Sequence, residues 1–213
     1  SKLLKGNTAV AKAFLGQGDS VVAQLMSYFT MAEALLVAAF VLQSVLVLRT
    51  EEAEGGAELQ WSGALSRIRW AASRMAVPAV VSGILLLVSG YAEGASYGAA
   101  IHDPSQGWHY AALSFAYWPT MLLVIGVLVL CAGWIPRAAI TVSWVAYGLA
   151  VLVSMFGALL TLPDWLADHT PFTAIEDAKA DALLAPTATI AVVAIVFAAG
   201  GLVRLRRRDL AAG

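Results

Sequence analysis

Residues 22–48 read VAQLMSYFTMAEALLVAAFVLQSVLVL, with Glu33 as their single charged side chain. A bilayer is crossed by roughly 20 mostly apolar residues in helical form, and this block is longer than that. It lacks the alternating polarity of a strand, and in lipid only a helix or a closed barrel satisfies its own backbone. The block is therefore read as a membrane-spanning helix. Four more blocks of the same kind follow, at about 75–99, 111–134, 138–162 and 183–203. The whole chain is 213 residues, 60% hydrophobic and 13% charged, where soluble domains run about 45–50% and about 25%. The expected fold is an all-α, polytopic bundle of five transmembrane helices.

Local punctuation fits these spans. Pro78 and Pro186 suit the first turns of the second and fifth, where a missing N–H costs little. Pro119 lies inside the third block and predicts a kink, or a break after a shallow outer segment. Cys131 sits in an apolar run and reads as a small core residue. Lys2, Lys5, Lys12 and Asp19 interrupt the first twenty residues, so no cleavable signal peptide is legible there.

Charge orients the bundle. Arg49, Arg67, Arg69 and Arg74 lie between the first two spans, Arg137 between the third and fourth, and Arg204, Arg206, Arg207 and Arg208 after the fifth. With an odd number of spans these regions share one side. Lys2, Lys5, Lys12 and Lys179 fall on the other, together with Asp19, Asp103, Asp164, Asp168, Glu176, Asp177 and Asp181. The positive-inside rule places the N-terminus outside and the C-terminus in the cytoplasm of a plasma-membrane protein. Residues 1–20 and 163–182 are then extracytoplasmic, and the loop 49–74 and tail 204–213 cytoplasmic. An outward N-terminus without a signal peptide leads us to expect that residues 1–213 belong to a longer chain, with an earlier span before Ser1.

The loop 49–74 carries Glu51, Glu52, Glu54 and Glu58, which an anionic inner membrane surface does not welcome. A charged protein partner accounts for them; so does a solvated helix whose acids pair with nearby arginines. Leu59, Trp61, Leu65, Ile68 and Trp70 among Ser and Arg suggest short amphipathic helices along the inner surface.

At this point a family resemblance becomes specific. Arg49-x-Glu51-Glu52-x-x-Gly55-x-x-Glu58, followed by Ser66-Arg67-x-Arg69, resembles the cytoplasmic loop of ABC-2-type permeases, the polyketide-antibiotic exporters of the tetronasin-transport kind. Leu162-Pro163-x-Trp165, His169-Thr170-Pro171-Phe172, the span end Gly200-Gly201-Leu202-Val203 and Arg206-Arg207-Arg208-Asp209-Leu210 are similar in order to the end of that family's chain. The likeness covers the C-terminal half of a permease built from two halves; a first half and a sixth span are missing. It implies drug efflux, a second permease half, a hydrophobic small-molecule substrate, and a separate cytoplasmic ATPase dimer that holds ATP and magnesium. The chain has no G-x-x-x-x-G-K-[ST] phosphate loop and needs such a motor. Arg49, Glu51, Glu52, Gly55, Glu58, Arg67 and Arg69 are then the expected ATPase contacts, on a coupling helix continuing from the first span. No cofactor is expected in this chain itself. A non-transporting membrane scaffold or sensor, docking a cytoplasmic protein through the acidic loop, is the alternative.

Two acids mark a candidate path. A carboxylate within a span costs roughly 2.5–3.5 kcal/mol to insert, so Glu33 should face protein or water. It is either a substrate or proton contact or a structural hydrogen bond, and Glu93, near the outer end of the second span, poses the same choice. Gly90, Gly94 and Gly98 give that span a bare stripe suited to close helix packing, or mark a break or re-entrant turn at an end that also holds Ser89, Ser96 and Tyr97. Trp108, Tyr110, Tyr117, Trp118 and Trp165 fit an outer aromatic belt. Gly94-Ala95-Ser96-Tyr97-Gly98 matches G-x-S-x-G, but a hydrolase elbow needs a strand–turn–helix setting. His102, His109 and His169, with Asp103, Asp164 and Asp168, match no metal spacing. No catalytic residue is assigned, and the terminal arginines read as a membrane-end anchor rather than a nucleic-acid site.

Overall fold

A computed structural model describes residues 21–53, 67–135, 137–157, 170–176 and 183–211. Among the described residues there are helices and no strand: α1 Val21–Ala53, α2 Arg67–Ile101, α3 Gln106–Phe115, α4 Trp118–Trp134, α5 Ala139–Phe156, α6 Thr173–Glu176 and α7 Leu184–Ala211. Five segments among the described residues are long and apolar enough to cross a membrane: Leu25–Leu46, Met75–Ile101, Gln106–Trp134, Ala139–Phe156 and Leu184–Arg204. Their mean hydropathies lie between 1.9 and 2.1. The chain is an all-α, multi-pass membrane protein, as the sequence leads one to expect.

The helix ends differ from the sequence reading. α1 continues past its apolar segment to Ala53, so Arg49, Glu51 and Glu52 stand on its last turns. Residues 67–74 are the first turns of α2 rather than a separate surface helix, while 54–66 lie outside the described residues. Pro78 is consequently internal to a helix, not in a first turn. The carbonyl it leaves without a helical donor is that of Arg74, just outside the apolar segment, where polar surroundings can serve it.

The third span is two helices. α3 stops at Phe115, because Pro119 has no N–H and its ring would strike the Phe115 carbonyl. A tight turn intervenes, with Ala116 donating to Ala112 and Leu113 and Tyr117 donating to Ser114 at 3.1 Å. At the far end of α2, His102 adopts a left-handed φ of 62° and Asp103 N donates to the Gly98 carbonyl at 2.9 Å. This closes the helix as a Schellman turn, with His102 in the place glycine usually takes.

Glycines set the close crossings. A Cβ on Gly90 would lie 2.5 Å from Ser114 Cβ, and one on Gly94 would strike the Gln106 carbonyl oxygen, so α3 folds back antiparallel along the C-terminal half of α2. α4 and α7 run parallel: a Cβ on Gly126 would meet the Ala194 oxygen at 2.7 Å, and one on Gly133 the Gly201 oxygen at 2.8 Å. In lipid such packing, rather than a hydrophobic drive, holds helices together. Two tyrosines clip α1 to α5, which is antiparallel to it. Tyr28 donates to the Met155 carbonyl at 3.2 Å and Tyr147 to that of Leu35 at 2.8 Å.

The core runs along α1 through Met31, Leu35, Val41 and Leu42, against Leu86 of α2 and Met121, Ile125 and Leu128 of α4. Cys131 is buried there too. The segment before α7 folds inward, Phe172 and Ile175 entering the core and Phe172 stacking on Tyr117 at 6.3 Å.

Candidate functional site

The hairpin of α1 and α2 leaves a groove near the end of the bundle that carries His102 and Asp103. Its walls are Val22, Met26, Phe29, Ala32, Glu33 and Leu36 from α1, and Ser89, Glu93, Ser96, Tyr97, Ala100 and Ile101 from α2. The volume is about 980 Å³. Each wall is one helical face: Met26, Phe29, Glu33 and Leu36 recur at intervals of three and four, and so do Ser89, Glu93, Ser96, Tyr97 and Ala100.

Glu33 and Glu93, singled out separately in the sequence, therefore share one cavity. Glu93 Oε2 accepts a hydrogen bond from Thr30 Oγ1 at 3.0 Å. The same hydroxyl lies 3.0 Å from the Met26 carbonyl of its own helix. Glu33 Oε1 and Glu93 Oε1 are buried and have no hydrogen-bond partner among the described residues. A buried acceptor without a partner is costly, and the cost is relieved by a guest that brings a donor. The Ser89 and Ser96 hydroxyls are turned back onto the Leu85 and Ala92 carbonyls and donate to their own helix. Ser96 stands on the uninterrupted helix α2, so the G-x-S-x-G match has no elbow geometry. The arrangement can hold and orient a guest or pass a proton.

The remaining candidates are dispersed. Gly90, Gly94 and Gly98 lie on the face of α2 covered by α3. Arg49, Glu51, Glu52, Arg67 and Arg69 stand on helix ends beyond the apolar segments of α1 and α2, and Gly55 and Glu58 lie outside the described residues. The aromatic belt is corrected in part. Tyr110 and Tyr117 are 6% and 3% exposed and belong to the interior, whereas Trp108 is 70% exposed and edge-packed on Tyr91. Trp118 donates from its indole nitrogen to the Ala79 carbonyl at 2.9 Å, a tie between α4 and α2. Trp165 and His169 lie outside the described residues. Asp103 organises the α2–α3 turn. Gln106 Nε2 and the Ser105 hydroxyl and amide all donate to its carboxylate, which holds its pKa below the ordinary aspartate value.

Sequence reasoning passed over Thr30, Met26 and Phe29. Their signal was present: Thr30 precedes Glu33 by three residues and so flanks it on the helix surface. Tyr97 enters the sequence reading only through a polar helix end and the G-x-S-x-G match, and its ring is braced edge-on by Tyr110 at 5.9 Å.

The chain is 28% identical over 216 residues to the multidrug efflux system permease protein Rv1217c of Mycobacterium tuberculosis (strain ATCC 25618 / H37Rv). The match takes in 97% of this chain and 38% of that protein, so the chain spans well under half the length of its relative. The family model of the multidrug efflux system permease Rv1217c C-terminal domain matches residues 1–206, and the chain belongs to that family.

Proposed function

We propose that this chain is the membrane-embedded half of an ATP-driven efflux permease of the ABC-2 type, related to the tetronasin-transport exporters. A separate cytoplasmic ATPase dimer, holding ATP and magnesium, drives it. A second permease half completes the path, and the guests are hydrophobic drug-like compounds, so that export confers antibiotic resistance. The N-terminus is outside and the arginine-bearing ends are cytoplasmic, which puts the Glu33–Glu93 groove at the outer half of the membrane.

One observation carries this reading: α1 and α2 both continue beyond their apolar segments at the same end of the bundle. α1 runs on from Leu46 to Ala53, and α2 begins at Arg67, before the apolar segment opens at Met75. At 1.5 Å per residue these are rigid extensions of about 10 Å. They carry Arg49, Glu51, Glu52, Arg67 and Arg69 and can transmit a push from a docked motor into the very helices that wall the groove. The efflux role named for the relative agrees with a hairpin that joins a cytoplasmic end to a groove.

The test is purification of the complete permease from native membranes, followed by measurement of drug-stimulated ATP hydrolysis. An ATPase should co-purify, and Glu51→Lys with Glu52→Lys should uncouple its stimulation. Undiminished stimulation in that variant would refute the coupling role. A permease that never carries an ATPase would favour the scaffold or sensor instead.

A further inference from the structure

We propose that the α1–α2 groove selects organic cations with a bulky apolar body, the charge seated between Glu33 and Glu93. This deepens the export reading and rests on it. The groove's roughly 980 Å³ lies at the upper end of the volumes that hold drug-sized ligands. Among the described residues its lining includes no Lys, Arg or His, so none of those walls brings a basic group to the two acids. Thr30 offers Glu93 a neutral donor on one oxygen, and the inner oxygen of each carboxylate is left unmatched among the described residues.

The chemistry of the lining separates the possible guests. A neutral apolar body would shut two carboxylates away from water without a partner, which costs free energy. An anion would add repulsion. A bare calcium or magnesium ion wants six or more oxygen ligands, and here the serine hydroxyls already donate to their own helix; a zinc ion wants at least three protein ligands, and the described residues gather no such group. A large organic cation satisfies all the walls at once. Its charge meets the acids, its body covers Met26, Leu36 and Ile101, and its cationic edge can lie over the ring of Phe29 or Tyr97. Phe29 is half-exposed and Leu36 is 72% exposed, so both offer apolar area to a guest.

The experiment uses the complete transporter with its ATPase in lipid nanodiscs, corrected against empty nanodiscs. The probes are tetraphenylphosphonium, tetraphenylborate and neutral tetraphenylsilane, which share shape and differ in charge. The cation should bind best. Glu33→Gln and Glu93→Gln should each weaken it roughly tenfold, as expected for a partly exposed charge pair, and the double variant should bring it level with the silane. Silane binding, unchanged across the variants, reports an intact groove. Equal binding of the cation and the silane by the unaltered protein, or full cation binding by the double variant, overturns the proposal. Joint loss of both probes in the Gln variants also overturns it, since the acids would then be seating another helix of the longer protein. If no probe binds while drug-stimulated ATP hydrolysis persists, this proposal falls and the export reading stands. If that stimulation is absent as well, both fall.

Discussion

Replacing Gly94 by Ala should destabilise the bundle, although alanine is the better helix former. The added Cβ would run into the Gln106 carbonyl oxygen, and it would stand 2.7 Å from Tyr110 Cβ and 2.9 Å from the Gln106 carbonyl carbon. The obstacle is backbone of α3, which cannot rotate away as a side-chain end would. Overpacking of this kind costs about 1–3 kcal/mol, and a rigid obstacle argues for the upper part of that range. Helix propensity returns about 1 kcal/mol. The net is about 2 kcal/mol, roughly a thirtyfold fall in the folded-to-unfolded ratio. Gly148 on α5 is the control, because a Cβ there meets nothing within 4 Å. Gly148→Ala should be neutral or stabilising by up to about 1 kcal/mol. Equilibrium unfolding of the complete permease by SDS in mixed micelles, followed by tryptophan fluorescence, reads both signs in one assay. Equal stability of Gly94→Ala and the unaltered protein would refute the close α2–α3 crossing. So would a Gly148→Ala variant that loses more than Gly94→Ala.

Other expectations are simpler. His102→Gly should stabilise the α2–α3 turn by about 1 kcal/mol, since a left-handed backbone strains any residue with a Cβ; a lower melting temperature would contradict the observed φ of 62°. Tyr147→Phe removes the donor to the Leu35 carbonyl and should cost about 0.6 kcal/mol, the usual worth of an interhelical hydrogen bond in a membrane. Combined with Tyr28→Phe it should loosen α5 from α1, read as faster proteolysis after α5, and unchanged cleavage would argue against the clip. The Asp103 carboxylate is held below its ordinary value of 3.8 chiefly by Gln106 and Ser105. Its support for the turn is therefore complete above that value and lost as pH falls through the lowered one. The protection factor of the Ser105 amide, measured against its intrinsic rate at each pH, should hold at neutral pH and fall only in acid, and its loss near neutrality would refute this. Ser105→Cys, in the exposed turn, should react with an impermeant thiol reagent in intact cells, with little background from buried Cys131. Reaction only after permeabilisation would reverse the proposed orientation.

The fold class was written in the sequence because lipid narrows the choices so severely. Apolar blocks of span length must be helices when no water is available to their backbones, and five such blocks give five crossings. The two acids stood out for the same reason, as charges in segments that pay for them. Pro119 likewise announced an interruption in the third span, because its missing N–H acts on its own helix. What these features share is that each depends on the local chain alone.

The partner of each helical face was a different matter. In water an apolar stripe tells which side turns inward, but a lipid tail is as apolar as leucine, so burying a face gives little preference. Tyr110 and Tyr117 could therefore belong to a belt or to the core; the fold of α3 against α2 put Tyr110 inside, and the Phe172 segment covered Tyr117. Gly90, Gly94 and Gly98 offered a stripe for close approach without naming α3 as its occupant. Thr30 was one hydroxyl among many until the hairpin laid it beside Glu93. Sequence alone determined that this chain is all-helical, with five span-length apolar blocks and an acid in each of the first two. Tertiary structure decided that these acids face one groove, because the register of two packed helices depends on the shape of the contact between them rather than on the composition of either.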